Sequence, residues 1–241
     1  MPSEALAHER GVPRVGFFGK LPARADFVSR RLARDFIDPW DEWLQEAIAA
    51  SVNELTDAWL ETYLTAPIWR FMLGPQVCGE LPVVGVLMPS VDQVGRYFPL
   101  TLALTLPDCD APASALLFSG KWFARLEELA LSALEEKAEF EAFDGTAASI
   151  LAPDLGRDAT AHRASEPALA WTLLANSDPE PIALDLLDHV LKLALTRYSI
   201  WWTMGPNDVD GSLAVTSGLP SPRSFTALLD RQWDRWGWGT R

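Results

Sequence analysis

Within GVLMPSVDQVGRYFPLT (residues 85–101), Asp92, Arg96 and Tyr97 lie close enough in sequence to share one loop. An acid and a guanidinium so placed could serve a hydrolase acting on a phosphorylated or small-molecule ligand, or hold a partner by charge-assisted hydrogen bonds. Elsewhere the catalytic inventory is thin. Three histidines, His8, His162 and His189, are far apart and show no His-x-x-x-His spacing for a metal. No Gly-x-Ser-x-Gly elbow is present. Gly16-Phe17-Phe18-Gly19-Lys20 is two residues shorter between its glycines than a phosphate loop, and it lacks the Ser/Thr that would hold magnesium. Asp108-Cys109-Asp110 reads as a turn between prolines. A metal-assisted reaction would have to gather Asp26, Asp92 and Asp208 from separate loops. No catalytic residue, metal ligand or cofactor is expected.

The elements that must position this loop are two apolar runs, Val83–Met88 and Pro99–Leu106, which read as the strands of a hairpin. Ser90 and Gln93 have the Ser-x-x-Gln spacing of a capping box, and Gly95 can end the turn they start. Loops at the end of a sheet are where a rigid scaffold presents functional groups. Further strands are expected at Val15–Phe18, Ile68–Leu73, 168–174, Ser199–Met204 and Leu213–Thr216. Asp38 suits a helix N-cap, with Pro39 in the first turn and Asp41 and Glu42 at the positive end of the dipole. From there Trp40, Trp43, Leu44, Ala47, Ile48, Val52 and Leu55 recur at helical spacing.

More helices are expected over 56–63, 113–137, Ile182–Thr196 and Ser221–Gln232. Residues 144–167 read as irregular, and Glu135, Glu136, Glu139 and Glu141 as a solvated face. Strands and helices alternate irregularly, which places the chain in the α/β class. The expected architecture is a mixed β-sheet covered by helices on both faces, a three-layer α/β/α sandwich. Residues 1–13 read as a flexible segment and 14–241 as a single domain.

The chain has 241 residues and a net charge of −13. That charge opposes phosphate backbones and anionic membranes, so neither nucleic acid nor direct membrane insertion is expected. No apolar run approaches the roughly 18 residues of a membrane span. One stretch runs against the acidic trend. Arg14, Lys20, Arg24, Arg30, Arg31 and Arg34, with Asp26 the one acid among them, give a local charge of +5. It is either a solvated face or a docking patch for an acidic partner. Cys78 and Cys109 are too few for a disulfide framework, and MPSEALAHERGVPRV lacks the apolar region of a signal peptide. A cytoplasmic, thiol-reduced setting is expected.

Binding chemistry is better represented than catalysis. Segments 16–27, 88–98 and 199–206 each join a strand to a polar or aromatic turn, and aromatics and Arg dominate interface hot spots. As a strand, Ser199–Gly205 would put Trp201 and Trp202 on opposite faces. Trp233, Trp236 and Trp238 either pack down the last helix or form an exposed patch.

Several stretches together resemble the type VI secretion-associated TagF family. They are VGFFGKLPARADFVSRR (15–31), PWDEWLQ (39–45), YLTAPIWRF (63–71), GVLMPSVDQVGRYFPLT (85–101), SIWWTMG (199–205) and Gly218-Leu219-Pro220 with Phe225. The middle, roughly 107–195, adds little. The resemblance implies a cytoplasmic protein of Gram-negative bacteria with an α/β sandwich domain. Such relatives repress type VI secretion after translation and are linked to the forkhead-associated scaffold protein of that apparatus. The resemblance supplies no catalytic residues.

Where the family usually reads Gly-Asp-Phe this chain has Ala25-Asp26-Phe27, and where it often has Arg this chain has Gln93. Alanine tolerates positive φ poorly, so the first turn is expected to differ in shape. The resulting expectation is a non-enzymatic negative regulator that binds the forkhead-associated scaffold. Lys20, Arg24, Asp26 and Arg30 would supply charge, Asp92 and Arg96 hydrogen bonds, and Tyr97 or one of Trp201 and Trp202 a buried anchor. A hydrolase-like enzyme at the same sheet edge and a structural accessory subunit are the alternatives. A homo-oligomer stays open.

Overall fold

A computed structural model describes residues 12–107, 116–117, 119–135, 138–153, 159–163, 169–173, 180–204 and 210–239. Its strands are β1 (Gly16–Gly19), β2 (Val28–Arg30), β3 (Trp69–Leu73), β4 (Val83–Met88), β5 (Leu100–Thr105), β6 (Ala159–Arg163), β7 (Leu169–Leu173), β8 (Tyr198–Thr203) and β9 (Ser212–Ser217). Its helices are α1 (Arg34–Leu55), α2 (Trp59–Thr65), α3 (Gly120–Ser132), α4 (Phe140–Ser149), α5 (Glu180–Ala194) and α6 (Pro222–Asp230). Seven strands form one sheet in the order β2-β1-β5-β4-β3-β8-β9, and β6 pairs with β7 alone.

The chain is α/β, but the expected mixed sheet needs correction: every pairing among the described residues is antiparallel. A parallel pair needs a crossover element between neighbouring strands. Here the helices connect strands that are not neighbours. α1 and α2 lie between β2 and β3, and α3 to α5 lie between β5 and β8. The short link between β4 and β5 makes a hairpin, as its sequence suggests.

Alternate residues of β1, β3, β4, β5 and β8 divide between two cores. Phe17, Val84, Val86, Leu102, Leu104, Ile200 and Trp202 pack with Phe123, Leu126 and Leu129 of α3 and with Phe140 and Phe143 of α4. Phe18, Phe71, Ala103 and Trp201 pack with Phe36, Trp40, Trp43 and Leu44 of α1 and with Phe225 and Leu228 of α6. Burial on both faces is why β3, β4 and β5 read as largely apolar runs rather than as alternating ones. The central strands also approach closely. A Cβ on Gly85 would meet the Leu102 carbonyl oxygen at 2.2 Å.

α1 starts one turn earlier than its capping signals suggest. Ala33 is the N-cap, and Pro39 lies inside the helix. Phe36 and Ile37 extend the buried stripe upstream of the proline. Burying two large side chains gives roughly 3–6 kcal/mol, which covers the cost of about 3 kcal/mol for an interior proline.

The sequence reading also missed β2, too short for alternation to show, and it read 144–167 as irregular where β6 and all of α4 beyond Phe143 lie. In α4 the stripe Phe140, Phe143 and Ala147 is buried despite the helix-weakening Gly145. Residues 1–11, the Asp108–Asp110 turn and Asp208 lie outside the described residues, as does the start of the helix expected over 113–137.

Candidate functional site

Two loops meet at one end of the sheet: residues 20–27 after β1, and residues 89–99 between β4 and β5. Backbone and hydroxyl groups fix their approach. The Gln93 amide donates to the Arg24 carbonyl at 3.0 Å, and Ser90 Oγ donates to the Lys20 carbonyl at 2.8 Å. From α2, the Tyr63 hydroxyl donates to the Ser90 carbonyl at 2.9 Å and accepts from the Ser90 amide at 3.0 Å. Ser90 therefore ties loops together and caps nothing.

Asp92 organises the turn instead. Its Oδ1 accepts from the amides of Val94 (3.0 Å) and Arg96 (2.8 Å), as an Asx-type turn requires. Gly95 completes the turn at a φ of 85°. Asp92 Oδ2 accepts from Arg96 Nε at 2.7 Å and from Lys20 Nζ. Asp92 is only 3% exposed. Burial alone would raise its pKa. The Lys20 ammonium, the Arg96 amide and guanidinium and the Val94 amide outweigh burial and hold it well below the usual carboxylate range.

The remaining sequence-predicted residues fall into three groups. Lys20 is buried, its ammonium 4.7 Å from the centre of the Phe27 ring. Arg96 is exposed, donates to the Ala25 carbonyl and lies 4.0 Å from the outward-facing Asp26. Ala25 is not among the residues with positive φ, so the turn forms without the glycine usual in the family. Arg24 and Arg30 stack on Phe140 at 4.4 and 5.1 Å. Arg30 also lies 3.7 Å from Asp144, which pairs with Arg31 at 2.6 Å. Lys20, Arg24, Asp26, Asp92 and Arg96 thus share one rim, and Arg30 joins it through Phe140.

Tyr97 turns away from that rim. It is half-buried against Trp59 at 5.7 Å and Tyr63 at 5.9 Å. Trp201 and Trp202 occupy opposite faces of β8, as alternation requires, but neither is an anchor for a partner. Trp201 is fully buried and donates to Ser199 Oγ at 2.8 Å. Trp202 is 5% exposed and packs edge-on against Phe123 at 4.8 Å. An interior strand covered on both faces has no side chain free for an outside surface.

What the rim offers outward is Arg24, Asp26, Phe27, Val94 and Arg96. Sequence reasoning missed Phe27 and Val94. Their exposures of 48% and 65% mark them only once the loops are folded. The larger of the two described grooves, about 550 Å³, lies between α3 and α4 and is lined by Arg125, Glu128, Phe143 and Ile150 among others. Neither groove is lined by Lys20, Arg24, Asp26, Asp92 or Arg96, although the smaller one reaches Pro89 and Pro99 at the two ends of the 89–99 loop. Among the described residues no three His, Cys, Asp or Glu side chains gather as a metal would need, and no helix is long and apolar enough to cross a membrane.

The rim loops, Tyr63, Phe140 and Asp144 all fall within residues 16–150, which match the family model of the TagF N-terminal domain, type VI secretion system-associated. The chain belongs to the TagF family. It is also similar to a crystal structure of PA0076 from Pseudomonas aeruginosa PAO1. The identity is 40% and the TM-score 0.77, over 89% of this chain and 93% of that one. No curated protein matches it. The TagF match ends at Ile150, yet β8 and β9 of the same sheet lie beyond it.

Proposed function

We propose that this TagF-family chain is a non-enzymatic, post-translational negative regulator of a type VI secretion system. It acts in the cytoplasm by binding the forkhead-associated scaffold component of that apparatus. The observation that carries this reading is the saturation of Asp92. Both of its oxygens are engaged by four donors of its own chain. A carboxylate so held keeps two loops in one shape and has no lone pair to spare for a substrate proton.

The rim that results turns outward Arg24, Arg96 and Phe27, residue types enriched where proteins dock, beside Asp26 and Val94. Helices against both faces of the sheet support reading residues 14–241 as a single three-layer domain. A hydrolase would need Asp26, Asp92 and Arg96 to line a cavity, and neither described groove is lined by any of the three.

Capture of the forkhead-associated protein by the tagged chain tests the proposal. The native chain should retain it. The double variant Arg24→Glu, Val94→Glu should weaken retention roughly thirtyfold, about 2 kcal/mol, with an unchanged circular dichroism spectrum. Undiminished capture by the folded double variant would remove the rim from the interface. No capture by the native chain would remove the partner.

A further inference from the structure

The two edges of the seven-stranded sheet are built differently. β2 at one end is three residues long and carries Arg30, with Arg31 next to it at a φ of 58°. Short length, charge and a backbone twist are the usual protections against edge-to-edge pairing. β9 at the other end has none of them. Ser212-Leu213-Ala214-Val215-Thr216-Ser217 is six residues long, with no charge, no proline and no positive φ. Among the described residues it has one neighbour, β8. Leu213 is 61% exposed and Val215 38%.

The phase of the ladder fixes which backbone groups face outward. The Gly218 amide donates to the Arg197 carbonyl at 2.9 Å, one step beyond the Tyr198–Ser217 pair. Hydrogen-bonded and non-hydrogen-bonded pairs alternate along an antiparallel ladder. Ser212, Ala214 and Thr216 therefore bond to β8, and Leu213, Val215 and Ser217 direct their N–H and C=O groups to the free edge.

We propose that two copies of this chain associate through β9, antiparallel, about a two-fold axis at Ala214. In that register the outward groups of Leu213 meet those of the partner copy's Val215, and the reverse, so each pair exchanges both backbone hydrogen bonds. The side chains match as well. Leu213 faces Val215 on one side of the sheet, and Ser212 faces Thr216 on the other. Apolar–apolar and hydroxyl–hydroxyl pairs are favourable across strands. Moving the centre to Val215 would set Leu213 against Ser217 and Ala214 against Thr216, which loses both matches. A two-fold interface needs this self-complementarity. The six residues supply it without setting any charge of one acidic chain against the same charge of the other.

Sedimentation velocity over roughly 1–100 µM reads the association directly, because self-association follows mass action. The native chain should move from 26.6 kDa toward twice that mass. Val215→Pro removes an N–H that faces solvent in the monomer, a place where edge strands accept proline, and should leave a folded monomer throughout. Leu213→Lys, a charged edge residue, should do the same and decides the matter if the proline variant does not fold. Each should weaken association at least tenfold.

A native chain that stays monomeric over the whole range overturns the proposal. A dimer that survives both substitutions but is lost in Leu193→Glu also overturns it, because Leu193, 75% exposed on α5, would then mark the contact. None of these outcomes depends on the forkhead-associated partner.

Discussion

Asp92 holds its charge among four donors, and that charge leaves a signature in the pH dependence of stability. Its folded pKa is depressed below the ~3.9 of an unfolded aspartate. The stabilisation is therefore complete above about pH 4 and is lost as pH falls through the folded value. The melting temperature of the native chain should drop as the solution is acidified below about pH 4. Asp92→Asn should lower the melting temperature at pH 7 and flatten the acid limb. Parallel melting profiles for the two proteins would rule out this role. The sequence shows Asp92 and Arg96 as one group because they share a loop. It misassigns Ser90, whose hydroxyl is directed by the Lys20 carbonyl some seventy residues upstream. It is silent on Tyr63, whose hydroxyl reaches the turn from a helix.

Between elements, one ion pair locks α3 onto the sheet. Arg70 on β3 donates to Glu127 from Nε at 2.7 Å and from Nη2 at 2.8 Å, with its guanidinium 5.4 Å from the Phe123 ring. Arg70 is 6% exposed, so removing the carboxylate leaves a buried cation. Glu127→Ala should cost about 3–5 kcal/mol in urea denaturation, and Glu127→Gln distinctly less because one acceptor remains. Equal losses for the two would mean that packing, not charge, is what Glu127 supplies. Neither partner is conspicuous in sequence. Arg70 interrupts an apolar run, and Glu127 is one of two adjacent acids on α3.

Strands that bury both faces were legible from their largely apolar composition, and so was the hairpin at Val83–Thr105. The start of α1 was not. Asp38 and Pro39 look like a cap, and only the burial of Phe36 and Ile37 shows that the helix begins earlier.

Across the whole molecule, β3 depends on a strand from the far end of the chain. Arg70 pairs with Trp202 and Leu73 with Ser199, while Trp43 of α1 donates to the Pro220 carbonyl at 2.7 Å. A fragment ending at Ile150, where the TagF match stops, would leave one edge of β3 open and α1 without α6. Such a fragment should be insoluble or melt without a cooperative transition, and a soluble fragment with a sharp melt would show that the matched region folds alone. The sequence gives no warning of this, because strand order depends on contacts more than a hundred residues apart. The same connection sets a clock during synthesis. Ribosomes add roughly 5–20 residues per second, so β3 emerges about 6–25 s before β8 exists to pair with it. For that interval the backbone N–H and C=O groups of β3 that pair with β8 stand as an open edge in the nascent chain. Yield in the cell is then set by the pace of elongation between the two strands as well as by the stability of the finished fold.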